Sequence, residues 1–399
     1  GSKENVAKTK FSKLCMNDYG KANNELFTQF VARIFQEIPT ATVAMFSKLK
    51  YVNAPNYEKF RQIWNAKYLG GFVVHSKAFD GLKGNFPIGF LVWKTDKKEK
   101  NKIPISEIDT DVLDKYAIPI GNKFFYNLPN DSFLTNWVER PRMDGTTFIP
   151  LKNAVSPSTS ATEKSNWRFD ALGYLIADAN DMQQAGQGTL ILSGANGVGH
   201  KGGFYIINEN LWQAAIIFTV RRLIKQTWLN DRDQFLQPTE PLTDEFKTDC
   251  LIWMLFNGSN LTASANDLEW NGRKWSIVNH FIPYTETEVN APERFESDFM
   301  VQYLRKDGAC PLSVEANAVL DAGRILWKAY FEHTDVRSIR EELKLNRADV
   351  GWYQVRKALQ ARNSSSDFPP VSFKPFEEAY KALTEKLQPM VYELGFLKI

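Results

Sequence analysis

The chain has 399 residues, of which 43% are hydrophobic, 24% charged and 13% aromatic. This composition excludes a disordered, collagenous or coiled-coil chain, and the length predicts two or three domains of about 100–200 residues each. The net charge is only +3, so any nucleic-acid surface must come from local clusters of basic residues. The sequence has no run of the ~20 apolar residues that a membrane span needs, and its three cysteines lie far apart, as is typical of cytoplasmic proteins.

Helical and strand patterns alternate in the first part of the chain. Residues 24–37 place apolar side chains at helical spacing, and residues 40–47, 70–76 and 87–94 are β-prone runs. Helices between buried strands are typical of an α/β sheet. Because the strands are too few for a complete doubly wound domain, we expect part of such a sheet over residues 1–102.

The pattern changes after a lysine-rich stretch at residues 96–102, which predicts a linker. Short strands and turns are frequent over residues 103–300, which predicts a mixed α+β region. Residues 211–226 have a helical pattern that ends in basic side chains, where they suit the helix dipole.

The last part of the chain, residues 301–399, is mainly helical in pattern. Ser313 is the predicted N-cap of a helix that follows it, because its hydroxyl can accept a bond from the first turn. A final amphipathic helix is expected over residues 376–394, and Pro389 should kink or end it.

A glycine-rich loop carries the pattern G-x-G-x-x-G at Gly197, Gly199 and Gly202. A dinucleotide-binding loop must open into a helix, whereas a strand-like run follows here. The loop also departs from a phosphate-binding loop, because His200 separates Gly199 from Lys201. Two interpretations stay open: a loop that brings Gly197, Gly199, His200 and Lys201 close to DNA, or the tip of an ordinary β-hairpin.

Basic and aromatic side chains occur together in the middle of the chain. Such mixtures suit phosphate contacts and stacking on bases, but a solvated helix face has the same composition. We expect only one of the two neighbouring arginines of the predicted helix to contact phosphate, because an amphipathic helix can bury the other. The basic and aromatic residues that occur together are the segment 166–170, Arg221, Arg222, Lys225, Trp228 and Arg232.

A second, weaker pattern combines carboxylates with a lysine, as metal-dependent nucleases do. Glu245 and Lys247 follow Asp231 and Asp233, and such a set would have to converge on one magnesium ion. The sequence around Glu245 favours a helix with an acidic first turn. The four histidines show no metal-ligand spacing, so we expect no zinc site.

Two long blocks, NNELFTQFVARIFQEIPTATVAMFSKLK at residues 23–50 and SKAFDGLKGNFPIGFLVWK at residues 76–94, carry a resemblance to a known family. They are similar to the part of adenine-N6 DNA methyltransferases of restriction–modification systems that follows the catalytic tetrapeptide. The resemblance continues in order through residues 227–235, 246–260, 281–289, 295–300, 314–331 and 391–397.

Two motifs of that family are absent from the sequence. The acidic, glycine-rich turn that binds S-adenosylmethionine does not occur, and neither does the Asn/Asp-Pro-Pro-Tyr/Phe motif that orients the target amine; Pro369-Pro370 stands elsewhere. The resemblance therefore implies a C-terminal fragment whose partners are double-stranded DNA and an upstream catalytic or restriction segment of the same protein. It divides the chain into the back half of a methyltransferase domain (1–102), a target-recognition domain (103–300) and a helical tail (301–399).

The resemblance also implies a role for an aromatic side chain that packs against a flipped adenine. Phe79 is the first candidate and Phe86 the second, although both could be ordinary core residues beside a strand. The predicted function is DNA recognition within an S-adenosylmethionine-dependent adenine-N6 DNA methyltransferase, and the chain alone should be inactive. A stand-alone DNA-binding specificity subunit and a nuclease that uses Glu245 and Lys247 are the alternatives.

Overall fold

The computed structural model describes residues 6–38, 40–98, 105–159, 165–177, 182–183, 188–196, 203–306, 311–364 and 369–399. The protein has a mixed α/β fold built from several sheets and a set of packed helices. None of the helices in these residues is long and apolar enough to cross a membrane. Cys15 and Cys250 are free thiols, and Cys310 lies outside the described residues.

The first region contains four short or medium helices and one sheet. Its helices are α1 (Lys10–Cys15), α2 (Leu26–Glu37), α3 (Lys50–Asn53) and α4 (Glu58–Ile63). Its strands are β1 (Thr40–Lys48), β2 (Ala66–His75), β3 (Pro87–Asp96), β4 (Glu107–Leu113) and β5 (Pro119–Tyr126). The predicted helix at 24–37 and the strands predicted at 40–47, 70–76 and 87–94 are all confirmed.

The strands of this sheet are arranged in the order β1-β3-β2-β4-β5. Strand β3 is antiparallel to both β1 and β2, so β1 and β2 run in the same direction, and β4 runs parallel to β2. The pairing of Phe72 with Asp111 places β4 inside the first sheet. The sheet therefore continues past the predicted boundary at residue 102 and ends at Tyr126.

One face of the sheet packs on the helices, and the other does not. Val43, Leu91 and Trp93 belong to a buried core that also contains side chains of α2 and α4. The opposite face carries Phe46, Phe72 and Phe90, side by side on neighbouring strands; we call it the open face. Because residues alternate between the faces of a strand, the aromatic side chains of the open face are separate from this core.

Small sheets and two helices form the middle region. Its strands are β6 (Thr146–Thr147), β7 (Pro150–Leu151), β8 (Asn166–Trp167), β9 (Gly173–Ala177), β10 (Thr189–Leu192), β11 (Ala195–Asn196), β12 (Phe204–Ile206), β13 (Asn260–Leu261), β14 (Ala265–Trp270) and β15 (Arg273–Ile277). They form a four-stranded sheet in the order β12-β9-β10-β13 and three two-stranded ribbons. Its helices are α5 (Leu211–Leu223) and α6 (Asp244–Leu255), which pack against each other.

The last region is helical, as predicted. It contains α7 (Glu286–Val289), α8 (Phe299–Arg305), α9 (Val314–His333), α10 (Arg337–Glu342), α11 (Trp352–Asn363) and α12 (Lys374–Glu393). The Ser313 hydroxyl caps α9 by accepting a bond from the Ala316 N–H at 3.1 Å. Pro389 lies inside α12 and does not end it, because the helix continues to Glu393; of the two predicted effects, the ending of the helix was wrong.

The middle and last regions share one hydrophobic core. Ile217 of α5, Ile252 of α6, Trp327 of α9 and Leu387 of α12 are all members of it. The predicted boundary between residues 300 and 301 falls inside α8. The helical tail is therefore packed into the core of the region that precedes it.

Candidate nucleic-acid interface

The carboxyl ends of β1 and β2 meet at one edge of the first sheet. Lys48 ends β1 and His75 ends β2, and both strands point the same way. In open α/β sheets, ligands bind outside the carboxyl ends of such strands. We call this part of the molecule the carboxyl edge.

Phe79, the first candidate for stacking on a base, lies at the carboxyl edge. A short 3-10 turn over Ser76–Ala78 leads from β2 to Phe79, whose side chain is half-buried. Its ring meets Phe46 of the open face edge-on, with centroids 5.2 Å apart, and Phe46 is itself 49% exposed. The ring therefore lies on a partly open surface outside the buried core.

Phe86, the second candidate, lies at the same edge just before β3. Its ring is half-buried, and the Lys48 ammonium lies 5.0 Å from the ring centroid. A cavity of about 140 Å³ opens here between Phe86, Lys48, Lys50 and the segment Asp231-Arg232. The structure thus brings both phenylalanine candidates to the carboxyl edge.

A segment of the middle region returns to this edge. Trp228 packs on the His75 ring with centroids 4.9 Å apart, and Asn53 donates a hydrogen bond to the backbone carbonyl of Arg232 at 2.8 Å. The Lys77 N–H donates to His75 Nδ1 at 2.9 Å. Burial lowers the pKa of His75, and the charges of Lys77 and Lys115 lower it further, so the imidazole is neutral at pH 7.

The contact between His75 and Trp228 was not foreseen from the sequence. The two residues are far apart in the chain, and each taken alone looks like an ordinary core or surface residue. The position of Lys48 over Phe86 carries no sequence signal at all.

The predicted basic cluster is dispersed by the fold. Arg221 is only 3% exposed and lies inside the helix core, so of the two neighbouring arginines it is the buried one. Arg222 is half-buried and donates to the Thr189 carbonyl at 3.4 Å, while Lys225 is exposed. Arg232 binds the carboxylate of Asp231 at 2.6 Å beside the carboxyl edge.

The glycine-rich loop falls between two of the described ranges of the chain. Gly197, Gly199, His200 and Lys201 lie outside the described residues. The strands on either side of them are β11 and β12, which belong to two different sheets of the middle region.

A row of aromatic side chains crosses the middle region. Neighbouring rings in the row lie between 5.1 and 5.7 Å apart, and all but one of the side chains are partly exposed. Stacking surfaces of this kind suit nucleic acids when basic groups flank them. The row contains Trp270, Trp275, Phe148, Trp167, Tyr205 and Tyr174.

The segment 166–170 lies beside this row. Phe169 is 79% exposed, and its N–H donates to the Asp144 carboxylate at 3.0 Å. Arg168 forms an ion pair with Asp170 at 2.5 Å and donates to the Arg142 carbonyl. The basic residue predicted to contact phosphate here is thus engaged within the protein.

The carboxylates of the nuclease alternative are each bound to a different partner. Glu245 pairs with Lys386 at 2.7 Å, and Asp233 pairs with Lys123 at 2.8 Å. Lys247 pairs with Asp244, a neighbour on its own helix. Among the residues that the structure describes, no group of His, Cys, Asp or Glu could hold a metal ion.

Comparison with known proteins gives no relative from which to transfer a function. No family model, no curated protein and no solved structure matches the chain significantly. The functional argument therefore depends on the residues and geometry of this chain.

Proposed function

We propose that the chain is the DNA-recognition portion of an S-adenosylmethionine-dependent, site-specific adenine-N6 DNA methyltransferase of a restriction–modification system. The observation that carries the proposal is the position of Phe79. Its half-buried aromatic ring packs on Phe46 of the open face, at the edge of an α/β sheet where ligands of such sheets bind. Phe86 and the exposed ammonium of Lys48 extend the same surface.

An enzyme that modifies the N6 amine of adenine must take the base out of the duplex. A flat ring that receives the extruded base replaces part of the stacking energy lost, at ~1–3 kcal/mol per base. Phe79 can offer part of its ring as such a face, because the ring meets Phe46 edge-on and remains partly exposed. A nearby cation such as Lys48 suits the phosphates that flank the base.

The partly exposed aromatic side chains of the open face favour the packing of a further segment of protein on this sheet. Helices cover both faces of doubly wound sheets, whereas Phe46, Phe72 and Phe90 remain partly exposed on one face of this sheet among the described residues. Strand β1 is the last strand on its side of the sheet among the described residues. In the proposal, an upstream catalytic segment packs against the open face and beside strand β1.

The carboxyl edge itself does not fit S-adenosylmethionine. Its cavity of about 140 Å³ is smaller than the ~300–1,000 Å³ of small-molecule sites, and the carboxylate that lines it, Asp231, is bound to Arg232. The proposal therefore assigns cofactor binding to the upstream segment and leaves DNA recognition to this chain.

A stand-alone DNA-binding specificity subunit is the second candidate. The aromatic row favours it, because the row lies entirely within the middle region and needs no catalytic partner. The two candidates share DNA binding and differ in whether a catalytic segment completes the first sheet.

DNA binding, which both candidate functions require, is tested by titrating a fluorescent duplex with the purified chain at about 50 and about 200 mM salt. Neutralised phosphates release counterions, so the affinity should fall steeply between these conditions, with a slope near −0.9 per phosphate contact. Equal affinity at both salt concentrations, or no binding at either, would contradict DNA recognition.

A further inference from the structure

The turn between β4 and β5 exposes large apolar side chains to solvent. Tyr116 is 70% exposed, Ile118 is 56% exposed and Ile120 is 55% exposed. Single exposed apolar residues are normal on a protein surface, but three within one turn and the strand that follows it mark an interaction site. We call these three residues the apolar tip.

The apolar tip lies at the same edge of the sheet as Phe79. Strand β4 runs parallel to β2, and Leu113 at the end of β4 is paired with Val74, next to His75. Both strands thus reach the carboxyl edge together, and the chain enters the turn there. The charge of Lys115 contributes to the lowered pKa of His75, after burial and Lys77, which places the turn close to that edge.

Hydrogen bonds fix the backbone of the turn that carries the apolar tip. The Asp114 carboxylate accepts hydrogen bonds from the N–H groups of Tyr116 at 2.8 Å and Ile118 at 3.0 Å. The Asp114 N–H donates to the Ile118 carbonyl at 2.9 Å, and Ala117 adopts a left-handed conformation with φ of 61°. A turn fixed in this way loses little conformational entropy when its side chains are buried by a partner.

The charges at the carboxyl edge favour a polyanionic partner. Lys48, Lys77, Lys83 and Lys115 are all exposed, and the Lys115 ammonium lies 4.8 Å from the centre of the Tyr116 ring. The Asp114 carboxylate is already engaged by the amides of the turn. Lysines around an exposed aromatic ring suit phosphates on either side of a stacked base.

We propose that the apolar tip inserts into the DNA duplex beside the extruded base, with Tyr116 filling the gap that the base leaves. The inference depends on the proposed function, since it assumes that a base is taken to Phe79. Apolar side chains inserted between base steps unstack and kink the duplex, and an aromatic ring recovers part of the stacking. Phe79 would receive the base, and Tyr116 would hold the helix open.

The test compares two duplexes of one sequence, of which one has a single abasic site at its centre. An abasic site already contains the gap, so the cost of unpairing and unstacking a base is avoided, while the stacking of that base on Phe79 is forgone; the expected preference is the net of the two. We expect the wild-type chain to bind the abasic duplex about tenfold more tightly than the intact one. Tyr116→Ala should bring the two affinities close to each other.

Two variants serve as controls in this experiment. Tyr116→Phe keeps the ring and should keep the preference for the abasic duplex. Ile325→Ala removes an exposed apolar side chain of α9, 63% exposed, and should also leave the preference unchanged. Circular dichroism spectra of all variants should be the same, because Tyr116 contributes nothing to the core.

The outcomes separate the inference from the proposed function. If the chain prefers the abasic duplex and Tyr116→Ala keeps that preference, the apolar tip is not the inserted element, although DNA recognition stands. If the wild-type chain binds both duplexes equally, the inference is likewise overturned. Failure to bind either duplex overturns the proposed function as well. If Tyr116→Ala leaves DNA binding intact but dissociates a dimer in sedimentation velocity, the partner of the tip is a second copy of the chain.

Discussion

Replacing Phe79 by alanine separates a base-binding ring from a packing residue. Phe79 is half-buried, and Phe46 is the aromatic ring it contacts among the described residues, so its removal should cost that aromatic pair and the buried part of its own surface, ~1–3 kcal/mol of unfolding free energy. Phe60 of the same region is the matched control, because it is fully buried among Tyr57, Tyr19 and Trp64. Phe60→Ala should cost ~3–5 kcal/mol.

The same variant should also impair the binding of DNA. In the chain joined to its upstream segment, Phe79→Ala should weaken binding of a duplex with an extruded adenine by ~1–3 kcal/mol, because stacking on the ring is lost. Urea unfolding followed by tryptophan fluorescence measures the first quantity, and fluorescence anisotropy with labelled duplex measures the second. Unchanged DNA affinity together with a stability loss as large as that of Phe60→Ala would show that Phe79 is a packing residue.

Four further substitutions test other parts of the structure. Lys225→Ala should lower the salt slope of DNA binding by about 1 with stability unchanged, whereas Arg221→Ala should mainly lower the melting temperature, because Arg221 is buried; anisotropy titrations and thermal scans measure both. Lys386→Met should destabilise the helical core by ~3 kcal/mol in urea unfolding, because the Asp249 carboxylate, bonded to Lys386 at 2.7 Å, is left buried and unpaired. The pKa of His75 is lowered in the folded chain, so the unfolded chain binds a proton at this residue more tightly. The neutral His75 therefore contributes to stability above about pH 6.5, and this contribution is lost as the pH falls through the lowered pKa. His75→Asn should weaken that pH dependence in unfolding titrations.

Local signals in the sequence were enough to predict five of the longer helices, α2, α5, α6, α9 and α12. The Thr243 hydroxyl accepts a bond from the Phe246 N–H at the start of α6, and Ser313 does the same for α9. Such caps involve residues only three apart, so they can be read from the sequence directly. Pro389 does not end α12 because packing of α12 against α9 and α6 outweighs the hydrogen bond that proline removes.

Features that depend on distant pairings could not be predicted. Strand β4 was assigned to the middle region because nothing in its own residues specifies that it pairs with β2. Arg221 and Arg222 are adjacent on α5 and point about 100° apart, so one of them must face the core more directly. The helix is apolar on nearly all sides, so the sequence did not show which one.

The candidate site was predicted only in part, because some of its residues come from distant parts of the chain. Phe79 and Phe86 lie in one stretch of sequence, and the structure brings both to the carboxyl edge. Trp228 and Tyr116 reach that edge from other parts of the chain, through the return of the middle region and through the β2–β4 pairing. Long-range contacts of this kind have no local signature in a single sequence.

Transfer of labelled methyl groups from S-adenosylmethionine to DNA tests the central claim most directly. The chain of 399 residues should transfer none and should show no cofactor binding in calorimetry, since the sequence lacks both motifs that such an enzyme needs. A longer protein in which the proposed catalytic segment precedes this chain should methylate adenine at N6 in one DNA sequence. Methyl transfer by the chain alone, or none by the extended protein, would contradict the account.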